Sequence, residues 1–123
     1  MIGEIRTVLT PFYDARTSSM SIKSRPGLII AKADSQDYVL LPVSTITRQW
    51  NVDPVYDIEV DPSVYPLLGL NKRSYIRTHK QTVVHGAEIG KFIGDLKGTY
   101  SELYLEVLTK REQFSAEITK QAL

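Results

Sequence analysis

Alternation of apolar and polar positions divides most of the chain into short β-type runs. In "GEIRTVLTPF" (Gly3–Phe12), Ile5, Thr7 and Leu9 alternate with Arg6 and Val8, the period-two signature of a half-buried strand. Tyr13–Ser24 is polar, rich in small hydroxyl residues and without helical period, which predicts a long mobile loop. "PGLIIAKA" and "DYVLLPVST" flank Asp34–Asp37, predicting a hairpin with a loop of about four residues. Residues 46–55 predict irregular chain. In the next run Tyr56, Ile58 and Val60 alternate with Asp57 and Glu59, a strand with one face in water, and Asp61-Pro62 stops it. "VYPLLGLNKR" predicts a turn-rich connector, and Ser74–His85 a long strand or a bent pair. In "AEIGKFIGDL" Gly90 and Gly94 disfavour a helix, so a turn and a short strand, Lys91–Leu96, are expected.

The pattern then changes period. Tyr100, Leu103, Tyr104, Val107, Leu108, Phe114 and Ile118 recur at helical spacing with charged residues between them. Thr99 with Glu102 after Gly98 predicts a capping box. The expectation is one amphipathic helix over about 99–118 lying across a mainly β fold. Successive short strands predict a small closed or nearly closed barrel, which leaves few strand edges exposed.

With 123 residues, 42% of them hydrophobic, the chain is expected to form a single domain, 1–123, with its own core. It holds no cysteine, which excludes disulfides and thiolate metal sites and fits a cytoplasmic setting. No signal-peptide pattern or membrane-length apolar run is visible. Two histidines without a carboxylate at ligand spacing predict no metal site, and no cofactor is expected. Charge is unevenly distributed. Residues 1–33 carry +3, 34–70 carry −5, 71–97 carry +4 and 98–123 carry −1. If the fold joins the two basic segments, they form a polyanion-binding face on a nearly neutral molecule.

The hairpin adds candidate chemistry. Regular pairing about Asp34–Asp37 sets Gly27 opposite Ser44, Pro26 opposite Thr45 and Arg25 opposite Ile46. Arg25 then lies one diagonal step from both hydroxyls, roughly 7–8 Å between Cα atoms and within reach of a long side chain. Register alone leaves Ser44 and Thr45 as alternatives. A guanidinium fork beside a small hydroxyl suits a phosphate.

The order "GEIRTVLTPFYD", "KSRPGLIIAK", "YVLLPVST", "GLNKRSYIRTHK" and "IGKFIGDL" before a terminal helix resembles the MazF/PemK family of toxin endoribonucleases over nearly the whole chain. The resemblance implies an SH3-like barrel with appended helices, a homodimer, metal-independent cleavage of single-stranded RNA, and neutralisation by a cognate antitoxin. It places the family's Arg-Pro arginine on Arg25 and its strand-end threonine on Ser44, with Thr45 adjacent. The family's basic residue before that arginine is Ser24 here, with Lys23 one place earlier. For RNA binding, Lys72, Arg73, Arg77 and Lys80 would contact phosphates. Trp50 beside Arg48, and Phe12 and Tyr13, would stack on bases, although Phe12 also suits the core and Trp50 a dimer interface. His79 is a candidate for proton transfer or an exposed strand histidine; His85 is expected to be structural. The competing class is a non-catalytic SH3-like binding module, a gyrase-inhibitor-like toxin or an inactive toxin relative.

Overall fold

A computed structural model describes all 123 residues. Seven strands, β1 (Glu4–Asp14), β2 (Ser19–Lys32), β3 (Asp37–Ser44), β4 (Asp57–Val60), β5 (Ser74–Arg77), β6 (Thr82–His85) and β7 (Ile89–Asp95), precede helices α1 (Leu96–Thr99) and α2 (Ser101–Ala122). The antiparallel sheet runs β4-β5-β3-β2-β1-β7, with β6 also on β3. The segment expected to be one long strand or a bent pair is the bent pair. Its halves take successive stretches of β3: β6 pairs with Asp37–Leu40, and β5 with Val43–Ser44. That change of partner curls the sheet into an SH3-like half-barrel, mainly β with a C-terminal helix, as expected.

Both faces of the central strands are buried, by different partners. Ile5, Leu28, Leu41, Val43, Ile58, Val60 and Ile76 point inward and meet Leu68, Leu96, Leu103, Tyr104 and Val107, closing the main core. Burial raises the Tyr104 phenol above its ordinary pKa. On the opposite face Val8, Ile29 and Leu40 form a second, smaller cluster with Tyr38, Val84 and Ile89. This corrects the reading of β1. Val8, expected on the polar side, is buried, whereas Leu9 lies beyond the main core and is exposed. A burial pattern with both faces covered along part of a strand does not show as simple alternation.

Three other expectations are corrected. Tyr13–Ser24 is not a loop: β1 and β2 pair continuously from Ile5↔Leu28 to Asp14↔Ser19 and form a projecting two-stranded arm. Backbone ladders satisfy this arm, so its strands need no apolar alternation. Pro11, Tyr13, Met20 and Ile22 share one exposed face of it.

The β2–β3 hairpin does turn at Asp34–Asp37, where Asp34 Oδ1 accepts from the amides of Gln36 and Asp37 at 2.9 Å each. These backbone donors hold its carboxyl below the ordinary range. The register differs, however. Lys32 pairs with Tyr38, and an irregularity between Ile29 and Ala31 leaves Gly27 opposite Pro42 rather than Ser44. Extra residues at bulges carry no sequence mark that fixes them in advance.

Finally, the Thr99–Glu102 capping box does not form. Asp95 caps α1 by accepting from the Gly98 amide at 2.9 Å, and the N-cap of α2 is Tyr100, without a side-chain cap. Gly94 and Gly69 meet a different need. Gly69 has φ +69°, and the backbone at each crosses the other's neighbourhood so closely that a Cβ would strike Ile93 or Leu68 main-chain atoms.

Candidate functional site: a cationic cleft at the end of the β2–β3 hairpin

The bulge decides what meets at the hairpin's outer end. Carrying the Gly27↔Pro42 register two residues outward sets Arg25 directly opposite Ser44. Alternation puts Arg25 and Gly27 on one face of β2, and Leu40, Pro42 and Ser44 on the matching face of β3. Arg25 and Ser44 therefore share a rim, and Thr45 follows as the chain leaves the strand.

A shallow cleft of about 530 Å³ opens beside them, lined by Arg25, Ser44, Thr45, Thr47, Arg48, Asn51 and Arg77, with Ile46 its one apolar wall. The loop after β3 contributes four of these residues, a 3₁₀ turn at Gln49–Asn51 one more, and β5 the last arginine. Of the predicted site residues, Arg25, Ser44, Thr45, Arg48 and Arg77 are thus gathered. The two basic segments of the chain do meet, through Arg25 and Arg77.

The three arginines are held differently. Arg25 is exposed, and its guanidinium lies 5.8 Å from the centre of the Phe12 ring. Arg48 lies 5.7 Å from the ring of Trp50, which is 77% exposed. Neither has a carboxylate partner. Arg77 does. It is paired across the strands with Asp57, whose oxygens accept from Arg77 Nε at 3.1 Å and Nη2 at 3.3 Å. The Arg77 fork also donates to the Asn51 carbonyl at 3.3 Å, tying β5 to the cleft loop. The Asp57 carboxylate has no exposed surface and accepts from the Asp53 amide at 2.7 Å. Its expected place on the wet face of β4 is corrected here. A charged partner directly opposite allows a carboxylate at that strand end to be covered by the preceding loop.

His79 lies on the far side of Asp57, outside the cleft. Its Nδ1 is 3.8 Å from Asp57 Oδ1, buried and without a hydrogen-bond partner. The ring packs at 5.9 Å from Tyr56 and 6.0 Å from Phe114 of α2. Burial pushes its pKa below the ordinary histidine value, although the Asp57 and Asp53 carboxylates oppose the shift. His79 is thus covered rather than displayed on a strand, and it does have a carboxylate neighbour. His85 has a structural partner, its Nδ1 accepting from the Ala87 amide at 3.0 Å.

The remaining candidates lie around or away from the cleft. Lys23 is exposed on the same face of the arm as Arg25, opposite Thr10. Phe12 is half-buried beneath Arg25, whereas Tyr13 points to the arm's other face. Arg73 is paired with Glu59 and Asp61 at 3.3 and 3.4 Å, and Lys72 and Lys80 are exposed on turns outside the cleft lining. Thr47, Asn51 and Asp57 escaped sequence reasoning. Only the Asp57–Arg77 charge match could have flagged the last of them.

The curled antiparallel sheet, packed by a terminal helix on one face and bearing cations on the other, places the chain in the MazF-like fold class. The Mycobacterium tuberculosis toxin MazF-mt6 is similar to it in structure, with a TM-score of 0.60 over 89% of this chain and 96% of that one, at 18% sequence identity. No family model matches the sequence, and no curated protein matches it. No helix is long and apolar enough to cross a membrane.

Proposed function

We propose that this chain is a toxin-type endoribonuclease that cleaves single-stranded RNA. The observation that carries the reading is the Arg25 guanidinium, without a carboxylate partner, lining an open cationic cleft together with the hydroxyl residues Ser44 and Thr45. RNA supplies its own nucleophile, so the chemistry needs no metal. The 2′-OH attacks the adjacent phosphorus and the 5′-oxygen leaves, giving a 2′,3′-cyclic phosphate and a 5′-OH end. The protein's part is to hold that linkage in line and to stabilise charge on the phosphorane. Arg25 stabilises the developing charge, Ser44 or Thr45 holds a non-bridging oxygen, and Arg77, fixed by Asp57, sets the path of the strand. Arg48 and Trp50 bind the phosphate and base next along, and Lys23 extends the track up the arm. A cytoplasmic homodimer neutralised by an antitoxin belongs to the same proposal, as the family resemblance implies.

A second reading, RNA binding without cleavage, is favoured by one feature: the cleft lining holds no histidine and no carboxylate to serve as a general base. The test separates the two. Incubation of single-stranded RNA with the protein in EDTA should yield 5′-OH ends, and Arg25→Ala should lose nearly all of them. Retarded but intact RNA would establish the second reading. Cutting by the alanine variant at the wild-type rate would overturn the role given to Arg25.

A further inference from the structure

On the other side of the Arg25–Ser44 rim lies a second cavity, of about 340 Å³, different in character. Its walls come from Val8, Leu40, Pro42, Val83 and Val84, with the Thr10 and Thr82 hydroxyls and Arg25 and Ser44 at its border. The volume falls at the small end of ligand pockets, about 300–1,000 Å³. Gly27 is buried beneath two of these walls: a Cβ there would stand 3.2 Å from both Leu40 Cδ1 and Val8 Cγ2 and press on them. One acidic residue, Glu88, stands on the wall. It lies just before Ile89, whose pairing with Val8 starts the β1–β7 ladder, and so emerges beside Leu9 and Thr10. Its carboxylate has no hydrogen bond or ion pair within the protein.

We infer that this pocket is a base-reading subsite that takes one guanine of the RNA strand, next to the linkage held by Arg25. The inference rests on the endoribonuclease reading and adds the substrate's preference to it. Three features support it. The pocket and the phosphate cleft share Arg25 and Ser44, so a nucleotide with its phosphate at the rim has its base at the pocket's mouth. Space walled by apolar side chains suits the faces of an unstacked base. An acidic side chain on a polyanion path is repulsive unless the ligand offers it donors, and two carboxylate oxygens select two adjacent donors. Guanine alone presents these on its Watson–Crick edge, N1–H and N2–H. Adenine and cytosine set a ring acceptor beside their amino group, and uracil sets carbonyls on both sides of a single N–H.

The test uses the full chain and fluorescent 2′-O-methyl oligouridylates, which lack the nucleophile and cannot be cut, carrying one central G, inosine, A or C. Anisotropy titrations at one fixed salt concentration should show the G probe binding about tenfold tighter than A or C. Inosine, lacking the N2 amino group, should fall between. Glu88→Gln, at an exposed position, should bring the G probe to within about twofold of A. Wild-type affinities equal within twofold, or a G preference that survives Glu88→Gln, would overturn the subsite; equality is also the result expected if the pocket takes an apolar peptide side chain. In those cases the nuclease reading would stand as long as RNA is cut and Arg25→Ala loses nearly all of the cutting. Failure of every probe to bind, together with intact RNA, would overturn both.

Discussion

Arg25 and Arg77 line one cleft, yet they sit in opposite electrostatic settings. Arg25 is exposed, stacked over Phe12 and free of carboxylates, so its charge is available to a ligand. Arg77 is three-quarters buried and already meets a covered carboxylate through two hydrogen bonds. A cluster of cations is therefore not a set of equal contacts. A paired arginine contributes direction and rigidity, because its fork is fixed at both ends, while an unpaired one contributes most of the attractive field.

The sharpest way to break the comparison is Arg25→Ala. Removing the group proposed to stabilise charge should lower RNA cleavage by about 10²–10³-fold, on the order of 3–4 kcal/mol of barrier, with little change in thermal stability. Gel assays beside melting curves would show it. Asp57→Ala should act first on stability. Leaving Arg77 without its partner should cost about 3 kcal/mol of folding stability in a urea titration, the low end for buried pairs because Arg77 retains some solvent contact. Cleavage should fall as well, since Arg77 would no longer be aimed.

Arg77→Ala sharpens the point. It should weaken cleavage by about tenfold, less than Arg25→Ala, and adding Asp57→Asn to it should cause little further loss of cleavage. Additive losses in that cycle would mean that Asp57 does not act through Arg77.

The smallest effect is in pH. Burial lowers the His79 pKa, so the unfolded chain binds the proton more readily than the folded one. Stability should therefore be complete above the ordinary histidine pKa of about 6.5 and decline as pH falls from there toward the lowered folded value. Asp57, Asp53, Arg77 and Lys80 surround the ring and set its field. His79→Phe, which keeps the packing against Tyr56 and Phe114, should flatten that slope in denaturation curves taken between pH 5 and 7. An unchanged slope would assign it to another group.

Much of this molecule was legible along the chain. The Asp34–Asp37 turn, the Ile58/Val60 strand face, the bent pair at 74–85 and the helical stripe through Leu103, Tyr104 and Val107 are local patterns, and local patterns are written in local residues. Arg25 with Ser44 was legible as a candidate because a hairpin relates distant positions by simple counting. Its registered partner was not. The irregularity near Ile30 moved the pairing, and with it the register that brings Arg25 and Ser44 to one rim.

The β-rich class, the helix that caps it and the residue types capable of gripping a phosphate follow from the order of residues alone, since periodicity and side-chain chemistry are properties of neighbours. Folding settles the rest: which strands bury both faces, which arginine is spent on a hidden carboxylate, and that Tyr13–Ser24 pairs into an arm. Those outcomes depend on which far-separated segments cover one another. Burial is a property of the packed assembly of elements, and no single stretch of sequence contains it.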